Sequence, residues 1–285
     1  MTHILACIDD SRYAPAVCEY AAWAAERLDV SVTLLHVVDD LDDHGTAHDW
    51  SGTLGPGDQE ALLAAFTAAD EQRGRAAQQY GQRLLDQALV RTRATGATQV
   101  VARQRSGTLV DAVTDLEADA NLIVIGKGGP SADSAAQHLG SNLERVVRAV
   151  HKPMLVSPPE FRPVRRFLIA YDGGQSMRRA IVRLAHTALL RGAECHVLMV
   201  HDDQPVAHAE LTEATGPLLR AGFPVTLSTA SGDPDEVILS EVDRVSADLL
   251  VMGAYGHSRI RTLIVGSTTT AILRNATVPV LVFRR

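Results

Sequence analysis

The sequence predicts an α/β protein built as two tandem doubly wound units, each a five-stranded parallel sheet flanked by helices. Three observations carry this expectation. Short apolar runs alternate with helical patterns along the chain, and strands separated by helices form parallel sheets covered on both faces. The runs are continuously apolar, as in Leu122-Ile-Val-Ile125 and Leu249-Leu-Val-Met252, which suits strands buried from both sides. The 285-residue chain also overlays on itself, and its length suits about two domains.

In that overlay His3-Ile-Leu-Ala-Cys-Ile-Asp9 falls on Arg166-Phe-Leu-Ile-Ala-Tyr-Asp172, and Leu34-Leu-His-Val-Val-Asp-Asp40 on Val197-Leu-Met-Val-His-Asp-Asp203. Further on, Gly107 matches Gly232, Asn121 matches Asp248, Gly126 matches Gly253 and Ser141 matches Ser267. The closing strands, Lys152-Pro-Met-Leu-Val156 and Val278-Pro-Val-Leu-Val282, agree as well. Units of 1–157 and 166–285 result, joined by a linker over 158–165 whose Pro158, Pro159 and Pro163 stiffen it and keep the halves packed.

Each element has its own signal. The first unit opens on the strand Ile4-Leu-Ala-Cys-Ile8 and continues into a helix over 14–28, started by Pro15 in the opening turn. Between its second and third strands it carries an inserted segment, about residues 39–96. Residues 39–59 are acidic and glycine-rich and read as a loop, whereas 60–94 is alanine-rich and reads as one long or broken helix, with Gly74 and Gly81 as weak points. In the second unit a strand over 167–171 leads to a helix over 177–190, with Ile181, Leu184, Ala185, Ala188 and Leu189 on one face. Strands at 195–200, 225–229, 249–252 and 280–283 follow, with helices over about 234–245 and 267–275.

Composition excludes several classes. The net charge of -7 is spread along the chain, so no nucleic-acid surface is expected. No apolar run approaches the roughly 20 residues that cross a bilayer, and the chain starts at once on a strand rather than a secretory leader. A cytoplasmic protein without a membrane partner is the expectation. Cys7, Cys18 and Cys195 are odd in number and lie in apolar patterns, which reads as buried thiols.

The most informative stretch is Gly253-Ala-Tyr-Gly256, nine residues, then Gly266-Ser267-Thr268, with a near copy in Gly126-Lys-Gly-Gly129, ten residues, then Gly140-Ser141-Asn142. Each first cluster ends a strand, where a missing Cβ lets main chain approach a ligand. Each second cluster opens a helix, whose unpaired N–H groups and dipole favour an anion. Two such clusters at this spacing suit a polyphosphate.

On these residues the chain resembles the universal stress protein, or UspA-like, superfamily in its tandem form, over nearly its whole length. ATP-binding members carry Gly, two residues, Gly, nine residues, then Gly and Ser or Thr, with an aspartate ending the first strand. Asp172, Gly253, Gly256, Gly266 and Ser267 fit each position. The resemblance implies strand order 3-2-1-4-5 and a ligand at the switch point between strands one and four. It implies that Ala170 and Tyr171 line the adenine side, that Asp172 meets the ribose or a bound metal, and that Val200 offers backbone to the adenine edge. Met252 and Gly253 would lie under the ribose, and Gly256, His257, Gly266, Ser267 and Thr268 would hold the phosphates, with Arg259 and Arg261 nearby. The implied ligand is ATP, or ADP or AMP, with or without Mg. Asp9, Val37, Ile125, Gly126, Gly129, Gly140, Ser141 and Asn142 are the corresponding positions of the first unit, with Lys127 supplying a cation. There the extra loop residue and the insertion of Pro130 and Asp133 leave binding open.

The resemblance also implies pairing of the two units through their last strands, Met154-Leu-Val156 and Val280-Leu-Val-Phe283, as a built-in dimer; further association into a homodimer stays open. Metal binding is a second candidate role for the loop holding Asp39, Asp40, Asp42, Asp43, His44, His48 and Asp49, and for His201, Asp202, Asp203 and His208, although solvated loops are the commoner outcome. His36, within a strand, reads as a satisfied histidine. Asp172-Gly-Gly-Gln-Ser176 has a faint likeness to the ATP-pyrophosphatase loop but lacks its first serine and its aspartate. No phosphate-binding Gly-x-x-x-x-Gly-Lys-Ser/Thr loop and no Gly-x-Ser-x-Gly elbow occurs. The expectation is therefore a nucleotide-dependent stress-response sensor; the alternatives are slow hydrolysis by Asp172 and His257, or a nucleotide-free scaffold in which the glycines serve only the backbone.

Overall fold

The structure, a computed structural model, describes residues 2–38, 56–129, 140–254 and 266–284, with backbone alone for 56–66 and for Ser141. Its strands are β1 (His3–Cys7), β2 (Ser31–Val38), β3 (Val100–Ser106), β4 (Ala120–Gly126), β5 (Met154–Ser157), β6 (Arg166–Ala170), β7 (Glu194–Val200), β8 (Val225–Ala230), β9 (Leu249–Gly253) and β10 (Val280–Phe283). Its helices are α1 (Ala14–Leu28), α2 (Pro56–Ala94), α3 (Leu109–Leu116), α4 (Ser141–Ala149), α5 (Gln175–His186), α6 (Gln204–Ala214), α7 (Gly216–Arg220), α8 (Pro234–Arg244) and α9 (Ser267–Asn275).

The strands form one ten-stranded sheet in the order β3-β2-β1-β4-β5-β10-β9-β6-β7-β8. Each half is therefore a parallel 3-2-1-4-5 sheet. The halves meet at an antiparallel pair that aligns Val280 with Val156, Leu281 with Leu155 and Val282 with Met154. Strand periodicity divides these side chains between two cores: Leu155 and Leu281 join the apolar layer that contains the buried faces of α1, α5 and α6, while Met154, Val156, Val280 and Val282 join the layer with α4, α8 and α9. Both cores run through the joint, so separating the halves would uncover part of the apolar surface of these six side chains. The last-strand pairing expected from the sequence is thus an intramolecular one.

Local chemistry explains where elements begin and end. Asp29 adopts a left-handed conformation (φ 52°) after α1 and donates its N–H to Ala25 O. The Thr108 hydroxyl caps α3, accepting from Asp111 N at 3.2 Å and donating to the Asp111 carboxylate at 2.7 Å. The repeat survives in detail: Ile8 N donates to Leu35 O at 2.7 Å, as Tyr171 N donates to Leu198 O at 2.8 Å. Gly107 and Gly232, matched in the overlay, both take positive φ (110° and 128°) on leaving β3 and β8. The linker is pinned, since Phe161 packs edge-on to Tyr20 with centroids 4.7 Å apart and Arg162 N donates to the Tyr20 hydroxyl at 3.1 Å.

Three expectations need correction. The inserted helix is unbroken and starts at Pro56, so 56–59 are helical rather than loop. Gly81 is a point of close approach: a Cβ there would fall 2.8 Å from His36 Nε2 and 2.5 Å from Gln104 Nε2. Helix α5 stops at His186 instead of Leu190, because Thr187 turns extended (φ -95°, ψ 149°) and its hydroxyl accepts from Leu189 N at 3.4 Å. Helices α6 and α7 had no expectation attached; Asp203 caps α6, accepting from Val206 N at 3.2 Å.

Candidate functional site

A reversal of strand order opens a crevice between β6 and β9, whose pairing aligns Phe167 with Leu249 and Ile169 with Val251. Asp172 lies just past the end of β6 and Gly253 ends β9. Asp172 is half-buried and accepts from Gly174 N at 2.8 Å, which shapes the turn into α5 around Gly173 at φ +74°. Helix α9 is drawn onto the end of β9 by the buried Thr269 hydroxyl, which donates to Ala254 O at 3.1 Å and to Gly253 O at 3.4 Å. That contact sets Gly266, Ser267 and Thr268 beside Gly253. Gly266 is the N-cap residue of α9 and brings no side chain to cap it, so the first turn offers its N–H groups and the Ser267 and Thr268 hydroxyls.

The surroundings are less polar than the junction itself. Ala170 and Met252 are buried in the apolar layer with α8 and α9, and Val200 packs against that layer at the end of β7. Tyr171 is buried in the opposite layer, and burial pushes its phenol up to about 12. Its hydroxyl donates to Glu210 Oε1 at 3.3 Å, and Arg178 donates to the same oxygen at 2.9 Å. Glu210 went unnoticed in the sequence because α6 did, and Arg178, on the expected helix α5, had no partner to single it out without Glu210. Gly256, His257, Arg259 and Arg261 lie outside the described residues.

The first half repeats this junction between β1 and β4. A Cβ on Gly140 would fall 3.5 Å from Gly129 N, and one on Gly129 would fall 3.9 Å from Asp9 Oδ2, so Asp9, Gly129 and Gly140 converge. Asp9 accepts from Ser11 N at 3.1 Å and from the Ser11 hydroxyl at 2.5 Å; burial raises its carboxyl above the ordinary value, and the Ser11 hydrogen bonds act in the opposite direction. Ile125 is buried and Val37 packs at the end of β2. Asn142 is exposed and lines a groove with Thr108, Asp111 and Arg145. Helix α2 roofs this side, with Tyr80 donating to Asp10 and Gln104 Nε2 donating to Gln78 O at 3.1 Å.

Lys127 reaches across the joint between the halves. Its Nζ donates to Ala276 O at 3.0 Å, at the C-terminal end of α9 in the other half, and burial together with Arg12 lowers its pKa. Tyr13, which carried no expectation, packs on Gly126: a Cβ there would meet Tyr13 Cβ at 2.7 Å. The overlay held the signal, because Tyr13 falls on Ser176.

The secondary candidates resolve in part. His36 donates from Nδ1 to Ile8 O at 2.8 Å, a satisfied histidine. His201 and His208 are exposed, and among the described residues no group of three His, Cys, Asp or Glu side chains is placed to hold a metal. The loop carrying Asp39, Asp40, Asp42, Asp43, His44, His48 and Asp49 lies outside the described residues, as do Pro130 and Asp133. The cysteines Cys7, Cys18 and Cys195 are buried and unpaired by disulfides. Among the described residues no helix is long and apolar enough to cross a membrane.

Comparison with known proteins places this geometry. Residues 1–158 and 163–284 each match the universal stress protein family. The chain is similar to Universal stress protein Slr1230 of Synechocystis sp., at 35% identity over 287 residues and 100% of both chains. Among solved structures it is similar in fold to a universal stress protein from Archaeoglobus fulgidus, with TM-score 0.71 at 20% identity over 99% of this chain and 96% of that one. It is also similar in fold to a universal stress protein from Pseudomonas aeruginosa, with TM-score 0.62 at 18% identity over 100% of this chain and 93% of that one.

Proposed function

Because the chain belongs to the universal stress protein family, we propose that it binds an adenine nucleotide at the β6/β9 switch point, and that occupancy alters its conformation or partner contacts in a stress response. One observation carries the reading. Asp172 follows β6 and Gly253 ends β9 at the carboxyl ends of two adjacent parallel strands, and Thr269 fastens the start of α9, with Gly266, to the end of β9. That donor set fits a polyphosphate: the first turn of α9 supplies N–H groups and two hydroxyl residues, and the helix dipole contributes positive potential at that end. Asp172 suits the ribose hydroxyls or a magnesium ion carried with the phosphates. ATP is the favoured ligand, with ADP and AMP sharing the nucleoside contacts.

Mass spectrometry of nucleotide released from purified protein, together with calorimetric titration with ATP, tests this. Bound adenine nucleotide, or saturable binding lost on Gly266→Leu with the circular dichroism spectrum unchanged, is the expected result. Finding no released nucleotide and no binding heat would remove the reading, and unchanged affinity in Gly266→Leu would move the phosphates elsewhere.

A further inference from the structure

The two switch points share their glycines but differ in the side chains around them. Tyr13 precedes α1, and a Cβ on Gly126 would lie 3.3 Å from Tyr13 Cγ, so the ring starts against the glycine that ends β4. Tyr13 is 6% exposed yet belongs to neither apolar core. Its ring is instead faced by the Arg12 guanidinium, 5.2 Å from the centroid, and its hydroxyl accepts from Arg12 at 3.2 Å. Ser11 links it to the carboxylate: the Ser11 hydroxyl accepts from Tyr13 N at 3.3 Å and donates to Asp9 at 2.5 Å.

Counting from Asp172 as from Asp9, the second half has Gly174 for Ser11, Gln175 for Arg12 and Ser176 for Tyr13, and Ala254 stands for Lys127. Each substitution is toward a smaller or uncharged residue. A strand-ending glycine serves a ligand by leaving the Cβ space empty. In the first half the Cβ of a buried tyrosine and the Cγ that carries its ring, 2.7 and 3.3 Å from where a Gly126 Cβ would sit, take up that space.

We infer that Tyr13 closes the first switch point to nucleotide, so that the chain binds one nucleotide and not two. This rests on the nucleotide-binding reading of the second half. Tyr13 is thus a specificity-determining residue whose counterpart, Ser176, keeps the other site open.

Native mass spectrometry with ATP counts the bound ligands. Wild type binds one per chain, Tyr13→Ser binds two, and Tyr13→Phe, which keeps the ring, stays at one. Should Tyr13→Ser fold poorly, Ser176→Tyr asks the reciprocal question: with a native circular dichroism spectrum it binds none. Two nucleotides on wild type overturn the inference and leave the second-half reading standing, and so does wild-type affinity in a folded Ser176→Tyr. A wild type that binds none fells both together, an outcome told apart by the count.

Discussion

Alanine at Gly81 and at Gly74 makes the same chemical change in one helix, yet the structure gives the two opposite signs. Replacing a helical glycine by alanine gains about 1 kcal/mol where the added methyl is free. At Gly74, which is exposed, nothing lies within 4 Å of the added Cβ, so Gly74→Ala should stabilise by about 0.5–1 kcal/mol. At Gly81 the Cβ would sit 2.5 Å from Gln104 Nε2 and 2.8 Å from His36 Nε2, with His36 Cδ2 closer still. Neither neighbour is loose: the His36 ring donates to Ile8 O at 2.8 Å, and Gln104 donates to Gln78 O at 3.1 Å. Relieving the overlap means tilting α2 or breaking one of these bonds, an overpacking cost of about 1–3 kcal/mol. The propensity gain is common to both variants, so the difference between them isolates the overlap at about 1–3 kcal/mol. At about 2–4 °C per kcal/mol, that is a gap of about 2–12 °C in Tm. Thermal unfolding followed by far-ultraviolet circular dichroism on the two variants and wild type measures it. If Gly81→Ala matched or exceeded Gly74→Ala in stability, α2 would not dock on His36 as described.

Lys127→Met should cost about 1–2 kcal/mol, because it removes a charge-assisted hydrogen bond to Ala276 O while retaining the apolar stem; urea unfolding reads it, and a loss of ATP affinity without loss of stability would return Lys127 to a phosphate role. Glu241 is held down to about 2, chiefly by its hydrogen bonds from Arg244, helped by Ser228 and His196. A depressed carboxyl stabilises above its unfolded value of 4.5, and that stability is lost as pH falls from 4.5 toward about 2. Arg244 is exposed and screened, so wild type should lose only about 1–2 kcal/mol more than Glu241→Gln across that window; parallel pH-stability curves would refute the assignment. All three cysteines are buried, with burial raising each thiol and bringing Cys7 to about 12, so Ellman's reagent near pH 8 should label none in the native protein and all three in denaturant. Labelling of any one within minutes in the native state would contradict its burial.

Much of this architecture was legible because local signals agreed with the global fold. Continuous apolar runs gave the strands, and the self-overlay carried Gly107 to Gly232 and Asp9 to Asp172 before any geometry was known. What escaped depended on contacts remote in sequence. Gly81 looks like a helix breaker until His36 is seen beneath it. The bond from Lys127 to the end of α9, 149 residues away, has no trace in the local sequence. Helix α6 is only weakly amphipathic, so periodicity passed over it, and with it Glu210. Tyr13 is a different case, because its size stands out in the overlay against Ser176; the signal was present and the glycines drew the eye past it.

The joint between the halves supplies a physical reason for the asymmetry. Helices α4 and α9 end with their negative dipole poles near the central antiparallel pair, where unpaired carbonyls need donors. Each is met by a cation from the opposite half: Arg284, just past β10, donates to Arg148 O and Val150 O, and Lys127, just past β4, donates to Ala276 O. The two cations come from non-equivalent positions, one following the fifth strand of its half and the other the fourth. Only the second lies in a glycine cluster. Lys127 commits one of its three N–H donors to a helix end, so the bond that fastens the second half to the first draws on a cation of the first half's glycine cluster. At the matching place in the second half Ala254 makes no such demand, its N–H donating to Phe283 O at 2.9 Å. Cohesion of the halves thus uses a position of the first glycine cluster that the second half fills with alanine.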